Sequence, residues 1–124
     1  MGDYAALGNG DAFGWTASAA ITGGQVLEVT GNGTVGPAEA TSEKVIGVAA
    51  YDCASGSIVT VLDRDKIHVS TVSAAGAVTA GESVKAGAAG TVEAFTAGTD
   101  PTDALIGTFV VGGAANGTAT WKGC

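Results

Sequence analysis

His68 is the only imidazole among the 124 residues, so acid–base or metal chemistry near neutral pH would begin with it. It stands in Lys66-Ile67-His68-Val69-Ser70, where strand alternation sends it to the face opposite Ile67 and Val69. A surface or an interface is its expected place, because a general base also needs an oriented nucleophile beside it. No nucleophile elbow, shared carboxylate pair or zinc-ligand spacing accompanies it. Cys53 and Cys124 give neither a disulfide framework nor metal spacing and are expected as free thiols. Gly31-Asn32-Gly33-Thr34-Val35-Gly36 spells a phosphate-loop pattern, but Pro37 follows it with no amphipathic helix to hold a phosphate. Asn32-Gly33 therefore reads as a hairpin turn. Asn32-Gly33-Thr34 and Asn116-Gly117-Thr118 match the glycosylation pattern in form and read as turns as well. Asp100-Pro101-Thr102-Asp103 reads as a loop rather than an oxygen-ligand metal site. The mixed cluster Asp63-Arg64-Asp65-Lys66 reads as a solvated hairpin tip. Lys85, in Glu82-Ser83-Val84-Lys85-Ala86-Gly87, is the one place where a lipoyl or biotinyl carrier reading could rest, but the Met-Lys-Met or Asp-Lys-Ala signature is absent. The sequence thus predicts no catalytic residue, no cofactor and no metal.

The elements that would position these residues are strands. From Ile21 onward, Val, Ile and Thr fill short runs cut by Gly-Gly, Asn-Gly, Ala-Gly and Ser-Gly. Strands are expected near 25–30, 33–36, 44–51, 57–62, 66–73, 83–86, 91–95, 105–111 and 118–122. Gly interrupts nearly every window long enough for a helix, leaving at most single turns at 73–77 and 102–105. Turns every 8–12 residues predict an all-β barrel or sandwich.

The pattern repeats. Ile21-Thr22-Gly23-Gly24-Gln25 matches Val78-Thr79-Ala80-Gly81-Glu82, and Gly33-Thr34-Val35 matches Gly90-Thr91-Val92. Val45-Ile46-Gly47 falls on Leu105-Ile106-Gly107 after a short insertion, and Ala54-Ser55-Gly56-Ser57 lies near Ala115-Asn116-Gly117-Thr118. These matches predict one β domain over 21–124 with two pseudo-repeated halves, about 21–62 and 78–122. Residues 1–20 are expected as an extended N-terminal arm, in which Tyr4, Leu7, Phe13 and Trp15 are large apolar side chains needing a surface.

Charge narrows the partners. The net charge is −7 with only five Lys and Arg, too few and too scattered to neutralise phosphates, which excludes nucleic-acid binding as the main role. The same sign disfavours anionic membranes, and no apolar run approaches the ~20 residues of a membrane-spanning helix. The start, Met1-Gly2-Asp3-Tyr4, lacks a signal-peptide pattern, so synthesis in a cytoplasm is expected. The core is rich in Ala and Val and poor in aromatics, at 6%. Small side chains bury little area each, so help from an oligomer or larger assembly is expected.

The stretch Ile21-Thr22-Gly23-Gly24-Gln25-Val26-Leu27-Glu28-Val29-Thr30-Gly31-Asn32-Gly33-Thr34-Val35-Gly36-Pro37 resembles one found in capsid decoration (cement) proteins of tailed bacteriophages. Val45-Ile46-Gly47-Val48-Ala49-Ala50-Tyr51-Asp52, Ala54-Ser55-Gly56 and Val59-Thr60-Val61 continue the likeness. The resemblance implies a structural, non-enzymatic virion protein on the outer capsid surface, made in the bacterial host. It also implies the major capsid protein as partner and a homo-oligomer, with a trimer favoured. On that reading Tyr4, Leu7, Phe13 and Trp15 are the interface anchors. A carrier domain, tail-fibre piece or adhesin is the alternative.

Overall fold

β-Branched runs separated by Gly turns fold into ten strands among residues 14–124, the part of the chain that the computed structural model describes. Strands β1 (Gly14–Ala17), β2 (Val26–Gly31), β3 (Thr34–Pro37), β4 (Val45–Ala49) and β5 (Ile58–Asp63) close a barrel in the order β1-β3-β2-β4-β5. Strands β6 (Ile67–Thr71), β7 (Ser83–Ala86), β8 (Val92–Ala94), β9 (Gly107–Val111) and β10 (Thr118–Gly123) form a second sheet in the order β6-β10-β9-β7-β8. The protein is all-β. Its helical content among the described residues is two 3-10 turns, Ala88–Gly90 and Thr102–Ala104. The turn expected at 102–105 is there; 73–77 stays non-helical.

The second sheet repeats the barrel strand for strand. In the barrel, β1 runs parallel to β3, with Ala17 opposite Val35, and antiparallel to β5. In the second half Val72, just past β6, bridges Val92 in parallel, while β6 runs antiparallel to β10. Ile21 bridges Cys53 as Val78 bridges Gly113. The turns match too. Gln25 accepts from the Thr22 N–H at 2.8 Å, and Glu82 accepts from the Thr79 N–H in the same way. Both turns place a glycine at positive φ, +90° at Gly24 and +94° at Gly81, where a Cβ would be strained. The last Gly turn aligns one residue earlier than the sequence match suggested. Gly56 donates to the Ala17 carbonyl as Asn116 donates to Val72, and Ser57 to Ala54 as Gly117 to Ala114.

Two clusters of buried side chains hold the halves. Ala17, Ile21, Leu27, Val35, Ala49, Val59 and Val61 fill the barrel. The second cluster joins Val26, Val45 and Val48 from the barrel to Val84, Val92, Ile106, Phe109 and Trp121 of the second sheet. Strands β2 and β4 stand between the clusters, which is why Val26-Leu27 and Val48-Ala49 are continuous apolar pairs rather than alternating ones.

Two expectations need correction. Gly14–Ala17, expected within an arm over 1–20, is strand β1. Its backbone is taken up on both sides: Thr16 donates to Gly33 and Ala17 to Ser57, both at 2.9 Å. Asp63-Arg64-Asp65-Lys66 is not a hairpin tip, because β5 and β6 belong to different sheets. It is the link between the halves. Arg64 turns inward and donates to the carbonyls of Val45, Leu105 and Cys124 at 3.0–3.4 Å.

Candidate functional site

Of the four expected anchors, Tyr4, Leu7 and Phe13 lie outside the described residues. Trp15 is on β1, opposite Val59, and packs half-buried against the barrel cluster. At the equivalent position of the second half, Ser70 faces Ala119. The indole of that half comes instead from β10, as Trp121. The two halves thus place their large ring on different strands, and both rings pack inward.

Trp121 is fully buried. Its Nε1 donates to Ser70 Oγ at 3.1 Å, and Ser70 Oγ donates to the Gly24 carbonyl at 2.9 Å. This relay ties the second core to the first barrel's opening turn. His68 lies on the ring, with centroids 4.8 Å apart. Alternation did separate His68 from Ile67 and Val69, but the faces are reversed from the expected surface placement. His68 is 3% exposed, whereas Ile67 and Val69 are 64% and 58% exposed. The reason is packing: β6 must cover Trp121, and its inward positions are 68 and 70.

Neither nitrogen of His68 has a hydrogen-bond partner among the described residues. Burial pulls its pKa below the usual value, against weaker opposing pulls from the Arg64 and Asp63 backbone and the Asp65 carboxylate. The unfolded chain therefore takes up a proton near pH ~6.5 while the folded chain remains neutral until lower pH. Stability should rise with pH through that window and fall on acidification. Thermal unfolding from pH ~7.5 to ~5 should show Tm dropping in wild type, with this component removed in His68→Phe. An identical slope in both would show that His68 does not carry it.

The other chemistry-bearing groups are engaged structurally. Lys85 lies within β7 opposite Glu93, and its Nζ contacts Asp100 at 2.9 Å and Glu93 at 3.9 Å. A carrier lysine is presented at a hairpin tip; this one is covered and ion-paired. Asp100 also accepts from the Thr96 N–H, and these contacts hold its carboxyl below the usual carboxylate range. Asn32-Gly33 forms the β2–β3 hairpin, with Gly33 at φ +69°. Cys53 and Cys124 are unpaired thiols. The backbone of Cys124 is held at both ends, by N–H donation to Ile106 and by Arg64 on its carbonyl. Where the halves meet, Thr22, Gly23, Gly24, Gln25, Thr71, Ala89, Gly90 and Thr91 line a shallow cleft. The Gln25 amide donates to the Ala89 carbonyl there at 3.1 Å. No group of three or more His, Cys, Asp or Glu gathers as a metal site among the described residues, and no helix there is long and apolar enough to cross a membrane. Among the described residues the geometry presents β-strand faces, hairpin tips and the root of the N-terminal segment.

No family model matches the chain, and no curated protein matches it. Among solved structures, the chain is similar to the N base of head fiber gp8.5 in bacteriophage phi29. The TM-score is 0.68, the match covers 91% of this chain and 92% of that one, and the sequence identity is 17%. The two-half β architecture is thus one that a phage head fiber base also adopts.

Proposed function

We propose that this chain is a structural protein of a tailed-phage head. It binds the outer surface of the assembled shell and stabilises it by bridging major capsid protein subunits. The observation that carries this reading is the fold shared, over nearly the whole chain, with a phage head fiber base. The resemblance of residues 21–37, 45–52, 54–56 and 59–61 to capsid decoration proteins agrees with it. A ligand that binds the shell but not loose subunits stabilises the shell by mass action, and a homo-oligomer, with a trimer favoured, multiplies weak contacts. Tyr4, Leu7 and Phe13 serve as anchors in this reading, and Trp15 fixes the root of their segment to the barrel.

Co-sedimentation of the purified chain with undecorated heads tests the function. Saturable binding to heads, with added resistance of the heads to heat, is expected; no binding overturns the proposal. Deleting residues 1–13 spares β1 and should weaken binding at least ~10-fold, since buried aromatic anchors are each worth ~1–3 kcal/mol, while Tm stays unchanged. Trp15→Ala should instead lower Tm, because its ring packs on the barrel cluster. Unaltered head binding after the deletion would remove the anchor role.

A further inference from the structure

Two tripeptides of the chain are identical, Asn32-Gly33-Thr34 and Asn116-Gly117-Thr118. Asn is a chemically labile residue, and a following Gly is the neighbour that most favours loss of its side-chain amide. With no Cβ, the Gly N–H can approach the Asn carboxamide carbon unhindered. Because the local sequence is the same at both places, a difference in their reactivity must come from the fold.

The fold treats the two differently. Asn32 and Gly33 are both exposed at the tip of the β2–β3 hairpin, where Gly31 pairs with Thr34. Among the described residues the Gly33 N–H has no hydrogen-bond partner, and neither has the Asn32 side chain. A Cβ on Gly33 would meet nothing within 4 Å, so the nitrogen that must attack is in open space. The second site is held. The Gly117 N–H donates to the Ala114 carbonyl at 2.8 Å, and the Asn116 N–H donates to the Val72 carbonyl at 3.1 Å. Gly117 is half-buried, and a Cβ there would lie 3.1 Å from the same Ala114 carbonyl oxygen. The attacking nitrogen must therefore break a hydrogen bond and leave a crowded turn before it can reach Asn116 Cγ.

We propose that Asn32 is a site of spontaneous deamidation, and that Asn116, in the same tripeptide, is protected by its turn. The Gly33 nitrogen gives up its proton to solvent base and forms a bond to Asn32 Cγ. The carboxamide C–N bond breaks, and the amide nitrogen leaves as ammonia after taking a proton from water. Water then opens the resulting succinimide at either carbonyl. Opening at Cγ gives aspartate. Opening at the main-chain carbonyl gives isoaspartate, in which the chain runs through Cβ and Cγ and the α-carboxylate is free. Both products add a negative charge to the hairpin, and isoaspartate also lengthens the main chain just before Gly33. The Gly33 carbonyl accepts from the Thr16 N–H at 2.9 Å, within the parallel pairing of β1 and β3. Isoaspartate at 32 therefore loosens β1, which is the root of the N-terminal segment.

The test is to age the full chain in mildly alkaline buffer, beside the same chain in denaturing urea, and to map both by peptide mass spectrometry. In the folded chain Asn32 should convert at least ~5-fold faster than Asn116, the order of factor imposed when one backbone hydrogen bond must break first. In urea the identical tripeptides should convert alike. Asn9-Gly10 lies outside the described residues and is followed as a separate peptide. Aged wild type should also lose Tm relative to fresh protein. Asn32→Gln aged in parallel should lose less, because Gln closes its larger ring far more slowly. Equal conversion at 32 and 116 in the folded chain, or faster conversion at 116, would overturn the proposal. An equal loss of Tm in wild type and Asn32→Gln would overturn the effect on β1. None of these measurements uses phage heads, so this proposal and the proposed head function stand or fall separately.

Discussion

Trp121→Ala should be the most damaging single truncation in the chain, lowering stability by ~3–5 kcal/mol and Tm by roughly 10–20 °C. The indole is the largest fully buried side chain, and it fills the second core between Phe109, across the strand pair, and His68. Removing it leaves a cavity that the Val and Ala around it are too short to fill. It also leaves Ser70 Oγ without the donor it has in wild type, and so weakens the relay to Gly24. Trp121→Phe separates the two effects. It retains an aromatic ring in the core but loses the N–H and the pyrrole part of the volume, so its cost should be intermediate, ~2 kcal/mol. Chemical denaturation of both variants checks this; equal losses would mean that the hydrogen bond, not the volume, is what matters.

Gly47→Ala and Gly107→Ala should each cost ~2–4 kcal/mol, and by similar amounts. A Cβ at Gly47 would collide with the Leu62 carbonyl oxygen, and one at Gly107 with that of Lys122. In both cases the obstacle is the backbone of the neighbouring strand, β5 for β4 and β10 for β9, so relief requires the strands to part. The two glycines occupy equivalent places in the repeat, which makes the matched loss a test of the pseudo-symmetry itself. Gly76→Ala serves as control: a Cβ there meets nothing within 4 Å, and the change should stay within ~0.5 kcal/mol. Urea unfolding of the three variants decides the matter. A large loss at one repeat position and none at the other would show that the halves do not bear load alike.

Nine of the ten strands were legible in the sequence because most carry Val, Ile or Thr in short runs set off by turn residues, and those signals are local. β1 was not legible. Gly-Trp-Thr-Ala has no alternation of its own, and it is a strand because β3 and β5 offer backbone partners on both sides. The functional surface was legible in smaller measure. Trp15 could be singled out by size, but not that its ring packs on its own barrel.

What the sequence by itself determined was the all-β class, the two-half repeat and the turn chemistry, since short-range periodicity and glycine placement encode all three. Tertiary structure alone decided which face of each strand is inside. Alternation in Ile67-His68-Val69-Ser70 separates two sets of side chains but does not say which set is buried, and hydrophobicity pointed to the wrong one. Trp121 on β10 settles the choice, because the strand beside it must present its positions 68 and 70 to the ring. The same long-range packing makes Arg64 a clasp between the halves rather than a solvated turn residue, and leaves the apolar side of β6 facing outward.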